Sequence, residues 1–273
     1  MLRIAVVQED CKLGNKGHNL ECASALITQA AKEGARLVLF PEMFLTGYLL
    51  KRELLELAEE VSGPSINKLA KLAKTNKIHI CMGFAERDPR IEAIFSSLVC
   101  ISDQGQILAV YRKAHLFDVE REYFEPGDKA IVAETAIGRI GFSICYDFEF
   151  PEWPRINALQ GAQLFLVSSA NMEPWAEDQE IYAKARAMEN QMFVALANRV
   201  GKDDRFLFCG NSIVIDPTGN TLKKADKDNS SLLLANIDFE QVKEVRNSSI
   251  NYFRDRRYDI YGMIGEDYRT NND

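Results

Sequence analysis

The sequence has little with which to hold a metal. Its three histidines and six cysteines, at 11, 22, 81, 100, 145 and 209, include no CxxC pair and no Cys–His pair at the spacing of a zinc site. Nucleotide-binding signatures are missing as well: Gly14 and Gly17 stand without the rest of a GxGxxG after the first apolar run, and there is no Walker loop. No metal and no cofactor are therefore expected. The apolar runs are short and interrupted, far from the roughly 20 residues of a membrane helix. Met1–Gln8 turns polar too early for a signal peptide. Basic blocks are absent too: 33 basic residues face 40 acidic ones, a net charge of -7. Neither nucleic acid nor a membrane is an expected partner, and a cytoplasmic location is the expectation. No repeat, linker or low-complexity stretch divides the chain.

What is present is an ordinary globular composition, 47% hydrophobic and 27% charged, which excludes disorder. A chain of 273 residues is long enough to bury a core without disulfides, so the thiols are read as reduced and mostly buried. Leu2–Gln8 and Arg36–Phe40 read as buried strands. Between them His18–Glu33 carries Leu20, Ala23, Ile27, Ala30 and Ala31 at helical spacing, with Gly34 as its stop. Pro64–Lys77 reads as a second helix and Ile78–Glu86 as a strand. Ser97–Ile101 and Ile107–Lys113 flank hairpin punctuation at 102–106. Arg139–Cys145, Gln163–Ser169 and Met192–Arg199 read as further strands, separated by helical stretches at 154–161 and 177–190. Cys209–Asp216 and Ser231–Ile237 are expected to close the domain as a hairpin across Pro217-Thr218-Gly219-Asn220. The class is α/β, with βαβ units and antiparallel pairs mixed.

Three of these strands end in a reactive residue: Glu42 after the second, Lys113 after the 107–111 run, and Cys145 after 139–144. Loops leaving strand ends are where α/β proteins build sites. A carboxylate, an ammonium and a thiol meeting at one sheet edge make a nucleophilic site. The carboxylate takes the thiol proton, while the ammonium favours thiolate and steadies a developing oxyanion. Each residue also has an ordinary reading. Cys145 fits a core strand, Glu42 a turn cap, and Lys113 an edge strand kept from pairing. His115 is the nearest partner for a Cys–His pair, but no orienting Asn or Asp is evident for it. His79 reads as a core histidine and His18 as solvated.

Together these segments resemble the nitrilase superfamily, the carbon–nitrogen hydrolases, over about residues 2–245. The resemblance rests on Pro41-Glu42-Met43-Phe44-Leu45-Thr46-Gly47-Tyr48, on Tyr111-Arg112-Lys113-Ala114-His115-Leu116, on Ile144-Cys145-Tyr146-Asp147 followed by Phe150-Pro151-Glu152, and on Arg186-Ala187-Met188-Glu189-Asn190. It implies a four-layer α-β-β-α sandwich. It divides the chain into a hydrolase domain at 1–245 and a C-terminal tail at 246–273, packed at the interface of a homodimer or larger homo-oligomer. It implies Glu42, Lys113 and Cys145 as the catalytic triad, with Glu120 or its neighbour Glu122 as a supporting glutamate and the Tyr146 N–H as oxyanion donor. Tyr48, Asn171 and Trp175 are implied to line the substrate pocket. Arg186 and Glu189, at i,i+3, are read as a structural pair.

The resemblance further implies a hydrolase releasing ammonia from a small carboxamide through a cysteine thioester. The Cys-Tyr-Asp order, where nitrilases usually carry Cys-Trp-Glu, points to amidases and N-carbamoyl hydrolases ahead of nitrilases. A thiol-redox protein is disfavoured, because no resolving cysteine stands near Cys145. A non-catalytic member of the same fold is the reading from another class, and the complete triad argues against it.

Overall fold

The computed structural model describes residues 1–48, 53–203 and 205–266. The elements are β1 (Leu2–Gln8), α1 (Lys16–Lys32), β2 (Leu37–Leu39), α2 (Leu54–Leu57), α3 (Pro64–Asn76), β3 (His79–Asp88), β4 (Ala93–Ile101), β5 (Ile107–Arg112), β6 (Val132–Thr135), β7 (Gly138–Ile144), α4 (Glu152–Leu159), β8 (Leu164–Ser169), α5 (Ala176–Asn190), β9 (Phe193–Asn198), β10 (Ile213–Ile215), β11 (Thr221–Lys224), β12 (Ser231–Ile237) and α6 (Phe239–Arg246). They form two six-stranded sheets, ordered β12-β1-β2-β3-β4-β5 and β11-β10-β9-β8-β7-β6. Parallel triplets, β1-β2-β3 and β7-β8-β9, sit at the heart of each sheet, and antiparallel strands flank them.

Side chains alternate between the two faces of a strand, and here both faces are apolar. Ile4, Val6, Leu37 and Leu39 point into a core shared with Ile140, Phe142 and Leu166 of the second sheet. Their neighbours Ala5, Val7, Val38 and Phe40 point the other way, onto Leu20, Ala23 and Ile27 of α1 and Ile66 and Leu69 of α3. On the far side α4 packs on β7, and α5 on β9 and β10. The molecule is thus the expected α-β-β-α sandwich. The core strands read as continuous apolar runs because both faces are covered.

The expected closing hairpin is not formed. β10 pairs with β11 and β9, whereas β12 crosses to the other sheet and lies antiparallel to β1, from Leu2 opposite Ile237 to Gln8 opposite Ser231. The missing strand, Thr221-Leu222-Lys223-Lys224, is a polar edge whose exposed lysines hide its strand character. Helix α1 starts two residues earlier than expected, because the Asn15 side chain accepts the His18 N–H and caps it. Helix α6 runs across the expected domain boundary at 245.

Candidate active site

The site lies between the sheets rather than at one sheet edge. Glu42 leaves β2 and Lys113 leaves β5, both in the first sheet, while Cys145 leaves β7 in the second. Two cross-sheet hydrogen bonds join the strand ends: Ser168 Oγ donates to Phe40 O (2.9 Å), and Glu42 N to Ser169 O (3.2 Å). The Glu42 turn can sit this close to β3 because Gly83 lies beneath it. A Cβ at 83 would fall 2.6 Å from Pro41 O and 2.9 Å from Glu42 Cα.

Lys113 is fully buried, and a buried ammonium is tolerated only when paired. Its Nζ donates to Glu42 Oε1 and Glu120 Oε1, both at 2.8 Å. Burial alone would depress the ammonium; Glu120 and Glu42 outweigh it and hold Lys113 well above its usual range. Glu120 stands in a short 3-10 turn, Asp118–Glu122, and its Oε2 accepts the Phe117 N–H (2.9 Å), which closes that turn. Its Oε1 also takes the Tyr48 hydroxyl at 2.6 Å. Glu122 is exposed, whereas Glu120 is buried against Lys113. The sequence offers no sign that Tyr48 reaches Glu120.

Glu42 Oε2 is buried without a hydrogen-bond partner among the described residues. Burial pushes this carboxyl up to about 7 despite the opposing pull of Lys113, and Glu120 adds to the rise. Cys145 begins a 3-10 turn, Cys145–Glu149, with φ at +44°, a conformation rare outside glycine that over-determined surroundings must hold. Its thiol is pushed far above the usual thiol range by burial and by Glu42, against Lys113. Lys113 pulls toward thiolate as expected, but burial and Glu42 outweigh it, so the resting sulfur keeps its proton. The Tyr146 N–H stands in the first turn of that short helix, where amides lack intrahelical acceptors.

Asp147 holds the strand exits together. Fully buried, it accepts Tyr111 OH (2.6 Å), Ile144 N (3.1 Å), Ala114 N (3.1 Å), His115 N (2.7 Å) and His115 Nδ1 (2.8 Å). The residue after the ammonium is thereby tied to the turn that presents the thiol. His115 does have an orienting Asp, contrary to expectation. Its ring stacks on Phe150 (4.0 Å between centroids) and hydrogen-bonds Asp147 rather than the thiol. Arg186 braces the same turn, donating from Nε to Phe148 O (3.0 Å) and from Nη2 to Glu149 O (2.6 Å), while Nη1 meets Glu189 at 3.2 Å. The i,i+3 pair is present, and it also supports the cysteine turn.

A narrow cleft of about 20 Å³, room for about one water, reaches Cys145. Asn171 and Trp175 line it, together with Glu149, Asp178 and Gln179. Trp175 is exposed and meets Phe117 edge-on (5.6 Å), so it is no core residue under a loop. The Asn171 side chain is committed to its own loop: it donates to Trp175 O (3.1 Å) and accepts Met172 N (2.9 Å). Among the described residues no group of three or more potential ligands is placed to hold a metal ion, and no helix is long and apolar enough to cross a membrane.

Residues 3–247 match the family model described as "Carbon-nitrogen hydrolase". The chain belongs to that family, the nitrilase superfamily, and is a carbon–nitrogen hydrolase. It is 35% identical over 265 residues to a probable nitrilase of Schizosaccharomyces pombe, covering 96% of this chain and 97% of that protein. It is 33% identical over 262 residues to an (R)-stereoselective amidase of a Pseudomonas species, covering 96% and 93%. Among solved structures it superposes with a TM-score of 0.85 and 27% identity on a variant of the amidase from Nesterenkonia sp. AN1, covering 96% of this chain and 98% of that one; that variant shows Michael addition of acrylamide at its active-site cysteine.

Proposed function

We propose that the protein hydrolyses the C–N bond of a small carboxamide through a thioester on Cys145. The observation that carries this reading is the buried Lys113 ammonium bonded to Glu42 and Glu120 beside the thiol, with Glu42 Oε2 left free to take a proton. The thiol proton passes to Glu42 as sulfur attacks the carbonyl carbon, so no free thiolate need accumulate. Lys113 and the Tyr146 N–H hold the oxyanion. Collapse of the tetrahedral intermediate expels nitrogen, which takes the proton from Glu42 and leaves as ammonia. Water then gives a proton to Glu42, attacks the thioester carbon, and releases the carboxylic acid and the thiol. Glu120, hydrogen-bonded to Tyr48 and to the Phe117 N–H, fixes Lys113.

An oxyanion suits a site with an ammonium and a backbone donor, and the Nesterenkonia and Pseudomonas relatives are named as amidases. Carboxamides are therefore placed first, N-carbamoyl compounds second and nitriles, whose intermediate is a thioimidate nitrogen, last. The test is mass spectrometry with a slow amide, where the acyl adduct is expected on the Cys145 peptide and Cys145→Ala is expected to abolish turnover. An adduct on another cysteine, or a matched nitrile preferred tenfold in kcat/KM, overturns it.

A further inference from the structure

As the thiol proton passes to Glu42, charge builds on a buried sulfur, and a buried charge needs donors around it. Lys113 is already hydrogen-bonded to two carboxylates and faces the substrate oxygen in the chemistry above. The strand beside the cysteine offers another donor. β7 and β8 run parallel with Ile144 beside Ser168, so the next residues, Cys145 and Ser169, leave their strands side by side. Both line the same narrow cleft, whose room for about one water admits nothing larger between them.

The two serines that end β8 are used differently. Ser168 Oγ donates to Phe40 O (2.9 Å) and ties the sheets together. Ser169 is only 2% exposed, and its Oγ accepts the Asn171 N–H at 3.2 Å. That loop contact is duplicated, because the same N–H also reaches Asn198 Oδ1 at 2.7 Å. Ser169 thus accepts a bond the loop can do without, while among the described residues its own hydroxyl proton meets no oxygen. A hydroxyl rotates to suit its partner, and a buried one seldom goes without an acceptor. The acceptor left to it is the sulfur alongside. Burial and Glu42 raise the Cys145 thiol; Lys113, the Ser169 hydroxyl and the Ala170 N–H draw it down, the last two as hydrogen-bond donors.

We infer that Ser169 is a further catalytic residue, its hydroxyl donating a hydrogen bond to Cys145 Sγ whenever that sulfur carries charge. This rests on the thioester reading above and deepens it. Ser169 transfers no proton: the thiol proton goes to Glu42, and the hydroxyl keeps its own. The sulfur is neutral as a thiol and as a thioester, but partly negative while it attacks and while it is expelled. A donor aimed at it therefore favours both transition states over both ground states, which raises the rate rather than merely tightening binding. Lys113 and the Tyr146 N–H, engaged with the oxyanion, leave the sulfur to Ser169 and the Ala170 N–H.

The test is the rate at which iodoacetamide alkylates the Cys145 peptide, read by mass spectrometry across pH in the native protein, Ser169→Ala and Ser169→Thr. Ala removes the hydroxyl but leaves Asn171 its bond to Asn198, so the thermal melt is expected to stay within a few degrees of native. A thiol raised by about one pH unit is alkylated about threefold more slowly at a fixed pH, because the more basic thiolate is also the better nucleophile. At least that slowing is expected in Ser169→Ala, with its rate–pH profile displaced to higher pH and kcat/KM for a small amide down threefold or more. Thr, which keeps a hydroxyl, should restore at least half of each rate. A purely structural serine would leave the alkylation profile where it is. Native protein alkylated at Cys145 with turnover intact refutes the thioester reading. Ser169→Ala alkylated at the native rate, or Ser169→Thr as slow as Ser169→Ala, overturns the inference, so the two fail separately.

Discussion

Glu42 has to be ionised before it can accept a proton from the thiol. Its carboxyl, raised by burial to about 7, is charged only above that pH, so kcat/KM is expected to fall about tenfold per unit as pH drops below about 7. Glu42→Gln should remove that limb along with nearly all turnover, and a pH–rate profile of both proteins checks it. A limb near 4.5 in the native enzyme would mean that Lys113 outweighs burial. Asp147 makes a second prediction. Asn at 147 would turn an NH2 toward donors that now find a carboxylate oxygen. The loss is expected to be about 3 kcal/mol in urea unfolding, as for other buried charged acceptors, with a lower kcat because the Lys113 and Cys145 turns lose their shared anchor. At this scale the sequence was legible in its reactive residues and opaque in their supports. Cys145, Lys113 and Glu42 announce themselves at strand ends. Tyr48 and Tyr111 find their carboxylates across 72 and 36 residues, distances over which no local pattern speaks.

Elements built from two-faced apolar runs were readable, because burial on both sides leaves a sequence with no polar alternation to misread. β1, β8 and β9 agree with expectation to within a residue or two at each end. β11 was not readable, since its four residues are polar or exposed and owe their conformation to pairing with β10. Gly83 also belongs here: within its strand pattern it signals only a close approach, and the identity of the neighbour, the Glu42 turn, comes from the parallel stacking of β2 on β3. Gly83→Ala is expected to keep the fold, lose about 1–3 kcal/mol from overpacking, and cut kcat at least a hundredfold by displacing Glu42 while KM moves little. Steady-state kinetics beside a thermal melt separates these effects; unchanged kcat would show that the turn yields without consequence.

Over the whole molecule, the expected absence of a cofactor predicts that exhaustive EDTA treatment leaves turnover unchanged; a loss restored by zinc refutes it. The tail beyond α6 packs back on its own chain through Phe253, whose ring lies under Arg246 (4.6 Å) and Arg155 (5.4 Å), and through Gln191 Nε2 to Ile250 O (2.8 Å). Beyond these contacts it presents Ile260, Met263 and Ile264 to solvent, a surface of the kind that subunits cover. Light scattering is accordingly expected to report twice the chain mass, and removal of residues after 257 to lower it.

The pairing of β1 with β12 has a consequence for how the chain is made. Made before its sheet partners, β1 can take up β2 and then β3, but its other edge stays open until Ser231–Ile237 arrives. A bare apolar strand edge through most of synthesis invites pairing with the wrong partner. Strand β12 therefore works as a latch: one sheet is finished only when residues 231–237 have been made, and a nascent chain stalled before residue 231 has to be shielded until they follow.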